Sequence, residues 1–310
     1  MGIGCVAGPP RGAGAWRCAE NALQRLPLVA HCIAGLARSF AEPVVYRAFR
    51  EHVYEAFGGR AAIFVYLKTW DTAPPSANGL KIPTALQDDH VTWLDSVRRE
   101  ALLAALQHLR PQSVKLVHSE EEQYARPNTQ CKLHARPGVN YAAERAYTTP
   151  AGTARHVGQM DSSLGCLRLV QQHETAHGLH FDYITRSRPD VAFTHPLPLL
   201  CFLNRAASTV LVQQRPYIDH FVLLPRRAAA AALDLYTEHY LPCRNHSWWG
   251  ATFEDLLAGS ITRAGFRVQA HRFPLVLLRR QYCSACATQH NHTTEELLRI
   301  CNLKTATKSA

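Results

Sequence analysis

The run Phe181 to Asp190 of this 310-residue chain reads Phe-Asp-Tyr-Ile-Thr-Arg-Ser-Arg-Pro-Asp. An apolar stretch of the kind that forms a buried strand stops in two arginines, a proline and a carboxylate. Arg186 and Arg188 carry planar forks of N–H donors that match phosphate oxygens. Asp190 offers hard oxygen to Mg2+ or Mn2+, whose coordination shell water and phosphate can complete. Metal and arginines together would offset charge developing on a leaving diphosphate. The same residues also read as an Arg–Asp ion pair that closes a strand end.

Further candidates lie on both sides of this segment. Asp71 follows the apolar run Ala61 to Leu67 and can accept hydrogen bonds from a ribose or a base, or cap a turn. Arg38, close to Gly35, can reach a phosphate or stand on the surface. A reaction that activates a hydroxyl group needs a base for its proton. Asp219, Glu254 and Asp255 are the candidates. Asp219 lies between two strand-like runs beside His220. Glu254 and Asp255 follow Trp248-Trp249-Gly250, whose rings can stack on a sugar face or join the core. Acids at the start of a helix are also what its dipole favours.

A second constellation is Cys283-x-x-Cys286-x-x-x-His290-x-His292. Its first spacing suits a zinc knuckle. Its histidines are closer together than in common fingers, and no basic recognition helix follows. A disulfide or free thiols are the other readings. Of the ten cysteines, Cys32, Cys166 and Cys201 sit in apolar runs and read as small buried hydrophobes. Cys131, Cys243, Cys283, Cys286 and Cys301 are the ones that an oxidising compartment would pair. The 17 histidines are scattered and read as surface or core residues.

Bulk composition narrows the classes. At 47% apolar and 19% charged residues, the chain is not disordered as a whole. The net charge of +10, from 34 basic and 24 acidic residues, is spread along the chain. Nucleic acid, an anionic surface or a phosphorylated substrate would each suit it, as would a merely basic protein. Without a Lys/Arg block, nucleic acid is the least favoured partner. No stretch approaches the roughly 18 apolar residues that span a bilayer. The N-terminus lacks a signal-peptide layout, and Val6 breaks the myristoylation pattern. The chain therefore reads as soluble and cytoplasmic, or as a Golgi-lumen protein whose N-terminal anchor is missing from this sequence.

These side chains need a scaffold that brings strand ends together. Leu28 to Ile33, Ala61 to Leu67, Val114 to Val117 and the Phe181 run read as strands. Helices are expected over 43–57, 91–109 and 164–177, with Gly58, Pro111 and Gly178 as stops. Residues 120–163 show no clear period and read as a lid or an insertion. Thr209 to Val212 and Phe221 to Leu224 follow as strands. Helical spacing recurs at Ala229, Leu233, Tyr236 and Tyr240 and over 252–264, and a last strand broken by Pro274 lies within 266–278. Strands alternating with helices predict a mainly parallel α/β sheet with helices on both faces, in which ligands bind at the carboxyl edge. Arg38, Asp71, Glu120 and Asp190 would all lie just past strand ends on that edge. The chain divides into a flexible segment 1–26, one α/β domain over 27–278 and a tail over 279–310.

Three segments carry a family resemblance: Cys32-x-x-Gly35-x-x-Arg38-Ser39-Phe40, Phe64-Val65-Tyr66-Leu67 leading to Asp71, and Phe181 to Asp190 with its Tyr-x-x-x-Arg-x-Arg-Pro-Asp pattern. Over roughly 28–270 the chain resembles glycosyltransferase-like proteins of the nucleotide-sugar-binding, GT-A type. The resemblance implies a Rossmann-like fold and transfer of a sugar from a nucleotide-sugar donor to a glycan or other hydroxyl acceptor. The pattern departs from the common Asp-x-Asp motif, because Arg188 stands where the first acid would be. That departure motivates a first alternative, a non-catalytic relative that binds without turnover. The basic charge and the Cys/His tail motivate a second, a zinc-containing nucleic-acid binder.

Overall fold

The computed structural model describes residues 5–6, 17–18, 27–37, 39–56, 60–69, 96–118, 122, 124, 150–198, 208–214, 218–242 and 253–278. Two short strands, β1 (Cys5–Val6) and β2 (Arg17–Cys18), pair antiparallel. The main sheet is built from β3 (Leu28–Leu36), β4 (Arg60–Lys68), β5 (Ser113–Val117), β6 (Tyr183–Ser187), β8 (Thr209–Gln213), β9 (Phe221–Pro225) and β10 (Arg267–His271). Their spatial order is β10-β8-β9-β6-β3-β4-β5. All pairings are parallel except those of β9, which runs antiparallel to β6 and β8. This is the expected α/β architecture, a mainly parallel Rossmann-like sheet flanked by helices. β7 (Val191–Phe193) and β11 (Leu275–Leu277) form a separate antiparallel pair.

The reversal of β9 has a consequence for function. Its first residue lies at the same edge as the last residues of its parallel neighbours. Ser187 at the end of β6 is registered with Phe221 at the start of β9. The residues just before β9 therefore join the carboxyl edge, where ligands of such sheets bind.

The helices are α1 (Pro43–Phe49), α2 (Ser96–Leu109), α3 (Pro150–His177), α4 (Ala229–Leu233) and α5 (Phe253–Arg263). Pro43 opens α1, and a π-turn over Arg50–Tyr54 prolongs it. A second π-turn, Tyr236–Tyr240, follows α4 after a break at Asp234.

Alternation along β3 assigns its side chains to two cores. Ala30, Cys32 and Ala34 face α3, whose Met160, Leu164, Leu167 and Val170 complete that layer. Val29 and Ile33 face the opposite layer, with Phe49, Leu102, Phe193 and Phe273. The small residues of β3 let α3 lie close to the sheet. Gly165 does the same opposite β4, because a Cβ there would stand 2.2 Å from the Tyr66 ring. Cys32 and Cys166, read from sequence as unpaired hydrophobes, are joined in a disulfide that ties β3 to α3 across 134 residues. Both are fully buried, which is what the apolar context indicated.

α3 begins at Pro150, well before the residues whose periodicity marked a helix. The reason is visible at Asp161-Ser162-Ser163, three polar residues at 0–1% exposure. They interrupt the apolar stripe in the sequence. In the fold they face inward, where Asp161 meets Lys68 Nζ at 2.9 Å and the Tyr66 hydroxyl at 3.0 Å.

Candidate functional site at the β6 and β9 ends

The last turn of β6 and the start of β9 gather four charged side chains. Arg186 is the penultimate residue of β6, and its side chain is 3% exposed. Its Nη1 donates to the backbone carbonyl of Asp219 and lies 3.8 Å from the Asp219 carboxylate. Its guanidinium sits 5.7 Å from the Phe253 ring centroid, a cation–π contact with the start of α5. Burial draws Arg186 below the usual guanidinium value, against the pull of Asp219 and then of Asp190 and Glu254. An arginine so placed still holds its proton.

Arg188 follows the strand, and its backbone N–H donates to the His220 carbonyl at 3.1 Å. Its Nε and Nη2 grip the two oxygens of Asp190, at 2.9 Å each. Its Nη1 donates to Asp219 Oδ2 at 3.1 Å. Burial disfavours the charge on Arg188, but Asp190 and Asp219 outweigh it and raise its proton affinity. Asp219 is fully buried. Burial opposes its ionisation, and Arg188, Arg186 and His220 overcome this to hold it below the usual carboxylate range.

Local sequence explains the arrangement. In β6 the even-numbered Ile184 and Arg186 point to one face, so the strand carries Arg186 inward behind the apolar Ile184. Pro189 turns the chain and packs on Gly35 of β3. Gly35 has φ 147°, and a Cβ there would meet Pro189 Cδ at 2.9 Å. Leu278 N–H donates to the Asp190 carbonyl at 2.7 Å, which fixes the backbone beside the fork. Two buried polar atoms of the cluster, Arg186 Nε and Asp219 Oδ1, make no hydrogen bond among the described residues. Such atoms are rarely left alone in folded proteins.

The sequence candidates distribute as follows. Arg186, Arg188, Asp190 and Asp219 come together in one network. Glu254 lies near enough for its charge to act on Arg186. Asp255 is in the same first turn of α5 and half-buried. Arg38, Asp71, Glu120, Trp248, Trp249 and the Cys283 to His292 constellation lie outside the described residues. The Asp190 carboxylate has both oxygens engaged by Arg188 and is 2% exposed. Among the described residues no three His, Cys, Asp or Glu side chains gather to hold a metal. Within the network the positive charge is that of Arg186 and Arg188.

One buried polar group at the same edge had no signal in the sequence. Lys68, the last residue of β4, pairs with Asp161 of α3 with both side chains at most 4% exposed. The Tyr66 hydroxyl donates to the same carboxylate oxygen. Burial, then the Asp161 charge, pushes the phenol upward. Lysine at the end of an apolar strand reads as a solvent-facing terminus, and only the fold brings Asp161 to it.

No family model matches this chain, and no curated protein matches it. Solved structures similar to it include a nucleoside-diphosphate-sugar pyrophosphorylase from Vibrio cholerae RC9, at 8% identity and a TM-score of 0.40, covering 84% of this chain and all of that one. Another is a mannosyltransferase from Pyrobaculum calidifontis in complex with GDP-Man and Mn2+, at 8% identity and a TM-score of 0.39, covering 96% of this chain and 79% of that one. Among the described residues no helix is long and apolar enough to cross a membrane.

Proposed function

We propose that the chain transfers a sugar from a nucleotide-sugar donor to a hydroxyl acceptor, with the β6–β9 edge as the donor diphosphate site. The observation that carries this reading is the convergence of Arg186, Arg188, Asp190 and Asp219 at the carboxyl edge of a mainly parallel sheet. Arg188 is the residue suited to meet a phosphate. Its side chain is 14% exposed, against 3% for Arg186, and its fork already holds a bidentate oxyanion in Asp190. A diphosphate presents the same acceptor geometry. On this reading the donor takes the place of one carboxylate on Arg188, while Arg186 stays fixed beneath it and supplies positive potential.

Sugar transfer then balances simply. The acceptor oxygen bonds to the anomeric carbon, and the bond from that carbon to the diphosphate oxygen breaks. The electron pair leaves on the diphosphate, facing Arg188. The hydroxyl proton goes to a carboxylate. Glu254 suits this role better than Asp219, because it is half-buried, while Asp219 is sealed from solvent and held ionised by two arginines. A base held well below neutral pH is a weak one. Asp255 is the neighbouring alternative. Asp190 is the residue that would face Mn2+ or Mg2+, which would require Arg188 to release one of its two oxygens.

The saturation of Asp190 also favours a second reading, a glycosyltransferase-like protein that binds without turnover. Thermal-shift screening of nucleoside diphosphates, with and without Mn2+, tests the site itself. A bound nucleotide raises the melting temperature by mass action. The expected result is a rise with one nucleoside diphosphate that Arg188→Met abolishes. No rise with any nucleotide would overturn both readings. Binding with donor hydrolysis equal in wild type and Asp190→Ala would leave the non-catalytic one.

A further inference from the structure

The C-terminal end of α3 contains the run His173-Glu174-Thr175-Ala176-His177. Residues four apart on a helix are neighbours on one face, and the His173 and His177 rings lie with centroids 4.1 Å apart and planes tilted by 30°. His177 Nδ1 is 2.9 Å from the His173 backbone carbonyl. A carbonyl oxygen only accepts, so Nδ1 carries the proton of that bond. This leaves the Nε2 lone pair as the free donor of electrons in the neutral ring. A backbone carbonyl on one ring nitrogen is the usual device that fixes a metal-binding imidazole. The His173 ring is held in turn by edge contact with Phe64, at 5.3 Å, and by Phe181, at 6.0 Å.

We infer that His173 and His177 form a bidentate site for a borderline transition-metal ion such as Zn2+, with water completing the shell. Imidazole suits such ions. Two nitrogens at about 2.0–2.1 Å from one tetrahedral zinc stand roughly 3.3 Å apart. With ring centroids 4.1 Å apart the two side chains are neighbours, and a shared ion would draw one nitrogen of each to that spacing by rotation about their side-chain bonds. His177 is exposed and His173 half-buried, so an ion has access from solvent.

The His-Glu-x-x-His spacing on a helix is also that of zinc hydrolases, in which the glutamate activates water. Here Glu174 cannot serve that purpose. Its carboxylate receives Arg226 through Nε at 2.9 Å and Nη2 at 2.7 Å, and the Phe181 N–H at 3.0 Å. It is 4% exposed and committed to Arg226 and the Phe181 N–H, with His180 Nδ1 3.9 Å from its Oε1. The site therefore binds metal without a base beside it. His180, beyond the helix stop at Gly178, has a side chain 89% exposed and is a further ring within the same short segment.

Isothermal titration of the full chain with Zn2+ at neutral pH tests the site, in parallel for wild type, His177→Ala and His173→Phe. The phenylalanine keeps a ring between Phe64 and Phe181. Comparison by difference removes zinc bound elsewhere in the chain, including by Cys283 and Cys286. The expected result is one fewer equivalent of bound Zn2+ in each variant, with unchanged circular dichroism. Equal stoichiometry and affinity in wild type and His177→Ala would overturn the site. Loss in His177→Ala but not in His173→Phe would overturn the bidentate arrangement.

Discussion

Arg188 grips both oxygens of Asp190, two residues further along the chain, and reaches Asp219, just before the neighbouring strand, with its remaining nitrogen. One guanidinium thus closes the end of β6 and ties it to the start of β9. The network is buried, so its members depend on one another more than surface ion pairs do.

Removing one carboxylate strands the arginines. Asp219→Asn leaves Arg186 and Arg188 facing each other with one fewer compensating charge. Breaking a buried pair in this way costs about 3–5 kcal/mol. Urea denaturation at neutral pH should show that loss, whereas Asp255→Asn should change stability by less than about 1 kcal/mol. Equal small effects would mean that the network is solvated.

The proton acceptor is separable from donor binding. Glu254→Gln should leave the nucleotide-induced melting shift unchanged and lower the transfer rate by about 10²–10⁴-fold. A rate unchanged in Glu254→Gln and lowered in Asp255→Asn would move the role by one residue.

His31 makes stability depend on pH. It lies in the middle of β3, bonded to the Thr185 hydroxyl at 2.8 Å, and burial pushes its imidazole down to about 3. An unfolded imidazole titrates near 6.5. Between these values the unfolded chain binds a proton that the folded chain refuses, so stability falls as the pH drops through this window. At about 1.4 kcal/mol per unit, moving from neutral pH to pH 4.5 removes roughly 2–3 kcal/mol through this residue. Burial lowers His173 and His271 as well, with the same sign. The carboxylates held low, Asp219 and Glu174, add their loss only below about pH 4. Denaturation midpoints at both pH values should therefore fall less in His31→Leu than in wild type. Equal falls would show that the folded protein admits a proton at His31.

The disulfide and the tight helix contact beside it predict two further stability effects. Closing 134 residues, the Cys32–Cys166 link restricts the unfolded chain by about 5 kcal/mol in the chain-entropy view. Cys32→Ala with Cys166→Ala should lower the melting temperature, and alkylation of unreduced, unfolded wild type should miss both thiols. Gly165→Ala should cost about 1–3 kcal/mol, because its methyl group meets the Tyr66 ring and α3 must move outward. A neutral Gly165→Ala would show that α3 is free to shift.

Much of the framework was legible in the chain itself. Apolar runs at Leu28, Ala61, Phe181, Thr209 and Phe221 all became strands, since each is too short and too apolar to be stable except inside a sheet. Gly178 marked a helix end, because its backbone preference acts locally. The cluster Arg186, Arg188 and Asp190 was visible for the same reason, as neighbours at one strand tip.

Contacts between distant segments were decided by tertiary structure. Sequence placed Asp219 between two strands, but only the antiparallel course of β9 set it against Arg188, 31 residues away. Asp161 sat in a stretch without periodicity, because a buried polar residue breaks the apolar pattern that reveals a helix. Its partner Lys68 lies on another strand. Cys32 and Cys166 each looked like a small hydrophobe, and their pairing required α3 to cross β3. Local preference and burial are written residue by residue, whereas the matching of buried charges and thiols depends on which segments the folded chain brings face to face.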